Sequence, residues 1–447
     1  MANDNNNISE TSKTLSVQST RNPTSDKDVE LDDCSDTVNE TTEHDSSTVD
    51  WDGPQDPNNP LNWTLTVKWV HIIIVSIMTL FSPLASTMFA PGAPQVSEEF
   101  HNTNSTVSAL FVCVYLLGWT VGPLVIAPCS ELYGRTVVYH VSNIFFIIFS
   151  VACALSASTG MLIAFRFLAG CAGIAPVTNG AVTIADLMPM NQRGAAMALW
   201  TLGPVIGPII GPVAGGFLAE SLGWRWILWV FTIAYGLCVL LGFVFLRETY
   251  APVLLQRRVL RLRRTTGNAD LRSKLDNQLS ARVQFLRAIV RPLKLMCTSV
   301  ICGLLSLYNA ILYGIMFLLF TTFPQVFQEG YGFSESSAGL AYIGVGVGLL
   351  IGLAINGLAS DRILKRLAKR KNHGESKPES RLLIMGFLGP LAPVGLVIYG
   401  WTAEHMLHWI VPLFGTALVG IGLISSFLGI MTYIVVSELT TFEGYNL

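Results

Sequence analysis

Few residues in this chain could do chemistry, and they stand in unusual places. Arg166 sits inside an apolar run, Leu162 to Cys171. A cation held at mid-bilayer costs about 3 kcal/mol or more, so it must face a cavity or bond backbone carbonyls. The alternative is that it snorkels to the interface from the near end of its helix. Glu131 with Arg135, and Asp361 with Arg362, place an acid and an arginine together at helix ends. Such clusters either close one face of the molecule or are solvated charge worth under about 1 kcal/mol per pair. Asp186 and Arg193 flank Met188 and Pro189, where they would hold a short loop. No Asp or Glu stands in the middle of any long apolar run; Glu131, Asp186, Glu220 and Glu438 all lie at ends. No glycine-rich nucleotide loop, zinc-ligand spacing or nucleophile elbow occurs. The expectation is a protein that is not an enzyme and that holds no cofactor, metal, nucleotide or nucleic acid.

One segment has a mechanical signature instead. Gly203, Gly207, Gly211 and Gly215 recur every four positions, with Pro204, Pro208 and Pro212 after the first three. That spacing lays the glycines along one helix stripe, where another backbone can approach closely. Each interior proline removes a donor and bends the helix. In water such a helix fails, because glycine costs about 1 kcal/mol and proline about 3 kcal/mol per interior position. In a bilayer, neighbouring helices satisfy the freed groups. A bent, grooved helix suits spans that rock past one another, as in a transporter.

The elements that must carry these residues are membrane spans. The chain has 447 residues, 51% hydrophobic and 13% charged, with mean hydropathy +0.50. Average soluble domains carry roughly 25% charge. Ten apolar runs, from 68–90 to 408–436, each approach the roughly 20 residues that a span needs. Residues 1–66 hold 14 acids and 3 Lys/Arg, and their polar composition predicts disorder. Segment 247–296 carries 12 Lys/Arg against 3 acids, and 359–381 carries 8 against 3. If ten spans alternate, these cations share one side. The positive-inside rule then puts both termini and the basic loops in the cytoplasm.

The expected organisation is a disordered acidic tail over 1–66, a six-helix bundle over 67–246 and a basic cytoplasmic loop over 247–296. A four-helix bundle over 297–436 and a short tail over 437–447 follow. An internal repeat relates the halves. The stretch from Gly122 through Glu131 to Gly134 and Arg135 follows the second span. A similar run from Gly352 to Asp361 and Arg362 follows the eighth. The repeat predicts two further spans, whereas the residues after 436 are too few and too polar to form one.

On these residues the chain resembles the major facilitator superfamily, a repeat-built class of transporters. More narrowly, it is similar to the fungal twelve-span drug:proton antiporters. Residues 51–63, WDGPQDPNNPLNW, resemble the segment before the first span of those proteins, and 118–135 resembles their loop after the second. Leu162, Arg166, Gly170 and Gly173 match the fourth-span motif, with Ala169 where a glutamine is usual. The Gly/Pro array matches the fifth-span antiporter motif. The resemblance implies an all-α integral membrane protein of the major facilitator fold, with a six-helix bundle and an incomplete four-helix one. It also implies proton coupling through Arg166, gating by Glu131, Arg135, Asp361 and Arg362, and a mode-setting helix carrying Gly207, Pro208, Gly211, Pro212, Gly215 and Gly216. Asp186 is a further candidate for coupling.

A substrate cavity is expected between the halves, lined by polar and aromatic side chains. Candidates are Tyr115, Asn179, Thr183, Trp200, Tyr308, Asn309, Tyr313, Phe317 and Asn356. Such a lining suits amphipathic organic molecules. The leading expectation is a monomeric plasma-membrane exporter of hydrophobic or amphipathic small molecules, driven by the proton gradient. The other readings are a proton-linked importer of a metabolite and a truncated, transport-incompetent chain.

Overall fold

The computed structural model describes residues 48–275, 280–371 and 382–444, with side chains described except at 191, 281, 358–371 and 435–444. A lipid-embedded backbone must satisfy its own polar groups, which leaves helices for sequences of this hydropathy. Among the described residues ten helical spans result: Leu65–Glu99, Ser105–Tyr133, Arg135–Ala154, Thr159–Leu187, Arg193–Leu222, Trp224–Phe245, Val300–Gly330, Glu335–Gly357, Leu382–Glu404 and Ile410–Ile434. Each overlaps one of the ten apolar runs.

Several spans are built from more than one helix. The first joins α1 (Leu65–Thr87) to α2 (Ala93–Glu99) through a short turn at Ala90–Gly92. The second is α3 (Ser105–Tyr133), capped by the Asn104 side chain, which accepts from the Thr106 amide. Gly134 at φ 101 turns the chain directly into α4 (Arg135–Ala154). The fourth span is α5 (Thr159–Gly173) and α6 (Ala175–Leu187), and the fifth is α7 (Arg193–Leu222). Gly223 at φ 87 turns α7 into α8 (Trp224–Phe245). Both turns need the left-handed region that glycine enters freely.

The segment after α8 is more than a loop. It holds α9 (Ala251–Thr266) and α10 (Ala281–Thr298). Residues 48–64, placed in the acidic tail by composition, fold against it. Strand β1 (Thr48–Val49) pairs in parallel with β2 (Arg272–Ser273). Asp52 and Asp56 both bond Arg258, and Lys274 Nζ lies 2.6 Å from Asp50 Oδ2. Asp56 is 5% exposed. Its carboxylate accepts from the Asp52 and Asn58 amides, which with Arg258 hold it below its ordinary pKa.

The remaining spans are α11 (Val300–Phe323) with the π-helical turn Pro324–Gly330, α12 (Glu335–Ala341) with α13 (Ile343–Lys371), α14 (Leu382–Leu388) with α15 (Leu391–Glu404), and α16 (Ile410–Gly444). The sequence repeat has a packing counterpart. In the first half, spans two and four cross where a Cβ on Gly170 would lie 2.1 Å from the Tyr115 carbonyl oxygen. In the second half, spans eight and ten cross where a Cβ on Gly348 would lie 2.0 Å from the Ala417 carbonyl oxygen. Stacked and edge-on rings fill each half: Phe81, Phe146, Phe231 and Tyr235 in one, Phe320, Phe323, Tyr342 and Tyr399 in the other.

Candidate functional site

Arg166 is 2% exposed, inside the first bundle. Its guanidinium carbon lies 4.3 Å from the Phe89 ring centroid and 5.6 Å from that of Tyr115. These ring faces attract a desolvated cation. One Nη donates to the Ser86 carbonyl at 3.4 Å, while Nε and the Ser86 hydroxyl are buried without a partner. Beside them is a cavity of about 20 Å³, also lined by Tyr115, Phe146, Ser150 and Cys153. That is room for about one water molecule. The arginine therefore does not snorkel.

Arg135 begins α4 and lies with a second set of charges at the basic end, the end of the spans from which the Lys- and Arg-rich segment 247–296 leaves. Its Nε stands 3.5 Å from Asp186 Oδ2, and its guanidinium carbon lies 4.4 Å from the Tyr250 ring centroid. Arg135 also donates to Ser130 Oγ, which is 3.0 Å from Asn179 Oδ1. Glu131, by contrast, is exposed and Arg135 pairs with Asp186. The acid that completes this group is Glu248. Its carboxylate accepts backbone amides from Arg135 and Thr136 at the start of α4, and from Thr249 and Tyr250. A Cβ at Gly134 would sit 2.2 Å from Glu248 Oε2. Arg193 holds its loop by donating to the Met188 and Ala185 carbonyls. Asp361 and Arg362 fall on α13, but their side chains lie outside the described residues.

The α7 glycines serve two surfaces. Gly203, Gly207, Gly211 and Gly215 all face α1, and a Cβ at Gly215 would lie 1.9 Å from the Met88 carbonyl oxygen. Pro208 and Pro212 are buried. Gly216 points the other way, to the second bundle, where its Cβ would lie 2.5 Å from the Glu335 carbonyl oxygen. Gly339 completes this seam against the Pro212 carbonyl. Polar groups border it. Gln95 Nε2 reaches both Glu335 oxygens at 2.9 and 2.8 Å, Gln95 Oε1 accepts from the Trp224 amide, and Glu220 accepts from the Ser336 amide at 2.8 Å. Gly122 belongs to neither surface; it lets α3 approach Cys171 of α5.

The expected cavity residues are dispersed. Tyr115 is buried beside Arg166 and donates to the Ser82 carbonyl. Asn179 and Thr183 are buried within the first bundle, Thr183 bonding Tyr139. Trp200 Nε1 donates to Thr79 Oγ1 at 3.0 Å. In the second half, Asn356 Nδ2 donates to the Gly352 carbonyl and to Ser425 Oγ. The Tyr308 hydroxyl lies 3.4 Å from Ser426 Oγ. Tyr313 is 37% exposed, with its ring against Phe427, and Phe317 packs on Phe320. Asn309 Oδ1 is buried without a partner.

Glu248, Glu335 and Gln95 are not among the residues that the sequence singles out. Two of them carry a signal: Glu248 stands three positions past the end of a span, and Glu335 opens one.

Comparison with known proteins agrees with this architecture. The chain is 51% identical over 381 residues to the efflux pump radE of Floropilus chiversii, covering 85% of this chain and 71% of the relative. It is 52% identical over 390 residues to the MFS-type transporter tndD of Aspergillus flavipes, covering 87% and 72%. With the MFS-type transporter penM of Penicillium rubens it shares 49% over 403 residues, covering 90% and 79%. Among solved structures, the xylose transporter XylE of E. coli in a partially occluded inward-open conformation superposes with TM-score 0.61 at 16% identity, covering 84% and 85%. A bacterial homologue of the human lysosomal transporter Spinster gives 0.58 at 14%, covering 84% and 80%. The family description "Major Facilitator Superfamily" matches residues 75–441. Ten spans, paired small-residue crossings and half-identical transporter relatives converge: this chain belongs to the Major Facilitator Superfamily, a family of membrane transporters and not of enzymes.

Proposed function

We propose that this chain exports hydrophobic or amphipathic small molecules across the plasma membrane in exchange for protons, working as a monomer by alternating access. The observation that carries the reading is the seam between α7 and α12. There the bundles meet through nearly bare backbone, bordered by Gln95, Glu220 and Glu335 at one end of the molecule. A seam of glycines and uncrowded polar groups can part without breaking a core. The efflux name of a half-identical relative supports the direction of transport. The concentration of Lys and Arg in 247–296 and 359–381 supports cytoplasmic placement of the basic end and both termini.

In this reading no ATP or resident cofactor takes part. Arg166, with no carboxylate among the described residues that line its aromatic pocket, sets the electrostatic field inside the first bundle. Asp186 and Glu335 are the carboxylates placed to take up and release a proton, at opposite ends of the spans. The test is accumulation of a lipophilic fluorescent dye in cells lacking their own pumps. Expression should lower accumulation, and a protonophore should abolish the difference. Dye levels indifferent to both would overturn the reading.

A further inference from the structure

Helix α10 (Ala281–Thr298) is too charged to be a span, with Arg282, Arg287, Arg291 and Lys294 in its 18 residues. Nor is it an ordinary surface helix. Most of its residues sort into three stripes at spacings of three and four, the periodicity that puts side chains on one helix face. Phe285, Ala288 and Ile289 are half-buried, on a helix that packs beside α3. Gln284, Arg287, Arg291, Lys294 and Thr298 form a polar stripe. Between these runs a third stripe, Val283, Leu286, Val290, Leu293 and Cys297, which is apolar and exposed along its whole length.

The place of α10 says what covers that stripe. One residue, Ser299, separates it from the span-forming α11, whose own face at Val300, Ile301, Leu304 and Leu307 is equally apolar and exposed. The chain turns sharply there: a Cβ on Gly303 would lie 2.9 Å from the Met296 carbonyl oxygen. The stripe therefore starts where a lipid-facing surface ends, and a cationic stripe lies next to it. An apolar face flanked by Lys and Arg at the membrane boundary is the pattern of a helix lying in the interface. Juxtamembrane cations on such a helix are attracted to anionic headgroups.

We propose that α10 is an interfacial anchor that binds anionic phospholipid in the leaflet at the basic end. Leu286, Val290 and Leu293 enter the acyl boundary, and Arg287 and Lys294 meet the lipid phosphates. The anchor fixes the start of the second bundle relative to the bilayer surface, whatever the transporter carries.

Cys297, the exposed one of the seven described cysteines, allows a direct test. The full chain carrying Cys34→Ser is labelled at Cys297 with an environment-sensitive fluorophore. It is then reconstituted into nanodiscs of phosphatidylcholine with about 30% phosphatidylserine, so that charge is the variable. The comparison chain carries the label on the polar stripe, through Thr298→Cys with Cys297→Ser. Gel filtration checks that each chain is intact, with a Leu293→Cys label as the second probe of the apolar stripe. The expected result is quenching of the Cys297 label by shallow nitroxide lipid and of the Thr298 label by aqueous iodide, each at least about twofold over the other position. Removing phosphatidylserine, or introducing Arg287→Glu with Lys294→Glu, should reduce the lipid quenching by about half. Equal iodide quenching at both positions would overturn the proposal. So would shielding of the Cys297 label from both quenchers, which would mean a protein covers the stripe, or indifference to phosphatidylserine.

Discussion

At the basic end, Glu248 gathers four backbone amides while Arg135, Asp186 and Ser130 close around it, and every member comes from the first bundle or the segment just after it. At the other end, Gln95, Glu220, Glu335 and Ser336 reach across from one bundle to the other. The first arrangement is a brace. Its hydrogen bonds are charge-assisted, each worth about 1.5–3 kcal/mol, and an orphaned group there would be left buried. The second is a latch of a few polar contacts over glycine-lined backbone. Side chains of one chemical kind thus brace one bundle at one end and join the two bundles at the other.

The sharpest way to break that contrast is to remove an acid from each end. Glu248→Ala should lower stability by about 3–5 kcal/mol, because buried amides at the start of α4 lose their acceptor. Thermal unfolding of the purified protein measures this. Glu335→Gln should cost only about 1 kcal/mol. Equal losses from the two would erase the distinction between brace and latch.

Adjacent glycines on α7 sharpen it further. Gly215→Val drives a side chain into the α1 backbone and should destabilise by about 3 kcal/mol, the upper range for overpacking. Gly216→Val meets the other bundle instead. It should leave the unfolding midpoint nearly unchanged and prop the seam open. A cysteine introduced at Ser336 should then react with a water-soluble thiol reagent about fivefold faster, the change expected when an equilibrium moves by about 1 kcal/mol. Smaller still, Glu335→Gln alone should raise that labelling in the same direction.

The smallest effect concerns the strap over residues 48–64. Because Asp56 titrates below 3.8 in the folded chain, its contribution is complete above that value and is lost as pH falls through the lowered one. Amide exchange in the peptide spanning Trp51–Trp63 should therefore be faster in Asp56→Asn than in the native chain at pH 7. The difference should shrink as the pH falls below 3.8. A difference that persisted unchanged in acid would mean that something other than the ionised carboxylate holds the strap.

Most of the architecture was legible because bilayer spans announce themselves by length and hydropathy, and four-residue glycine spacing announces close approach. The direction of that approach was not legible. Four glycines of α7 serve α1 within their own bundle, and only Gly216, one position off the stripe, faces the partner bundle. The charge partners were also hidden. Arg135 is separated from Asp186 by 51 positions and from Glu248 by 113, so nearness in sequence pointed to Glu131 instead. Acidic composition likewise suggested disorder for residues 48–64. The cations that neutralise those acids, Arg258 and Lys274, stand some two hundred residues downstream.

The small parallel ladder of Thr48–Val49 on Arg272–Ser273 carries one more implication. With the Glu248 clasp on the start of α4, it ties the chain after α8 at two points, one on the first bundle and one on the segment that precedes it. Any elbow about which the second bundle swings then lies downstream of Ser273.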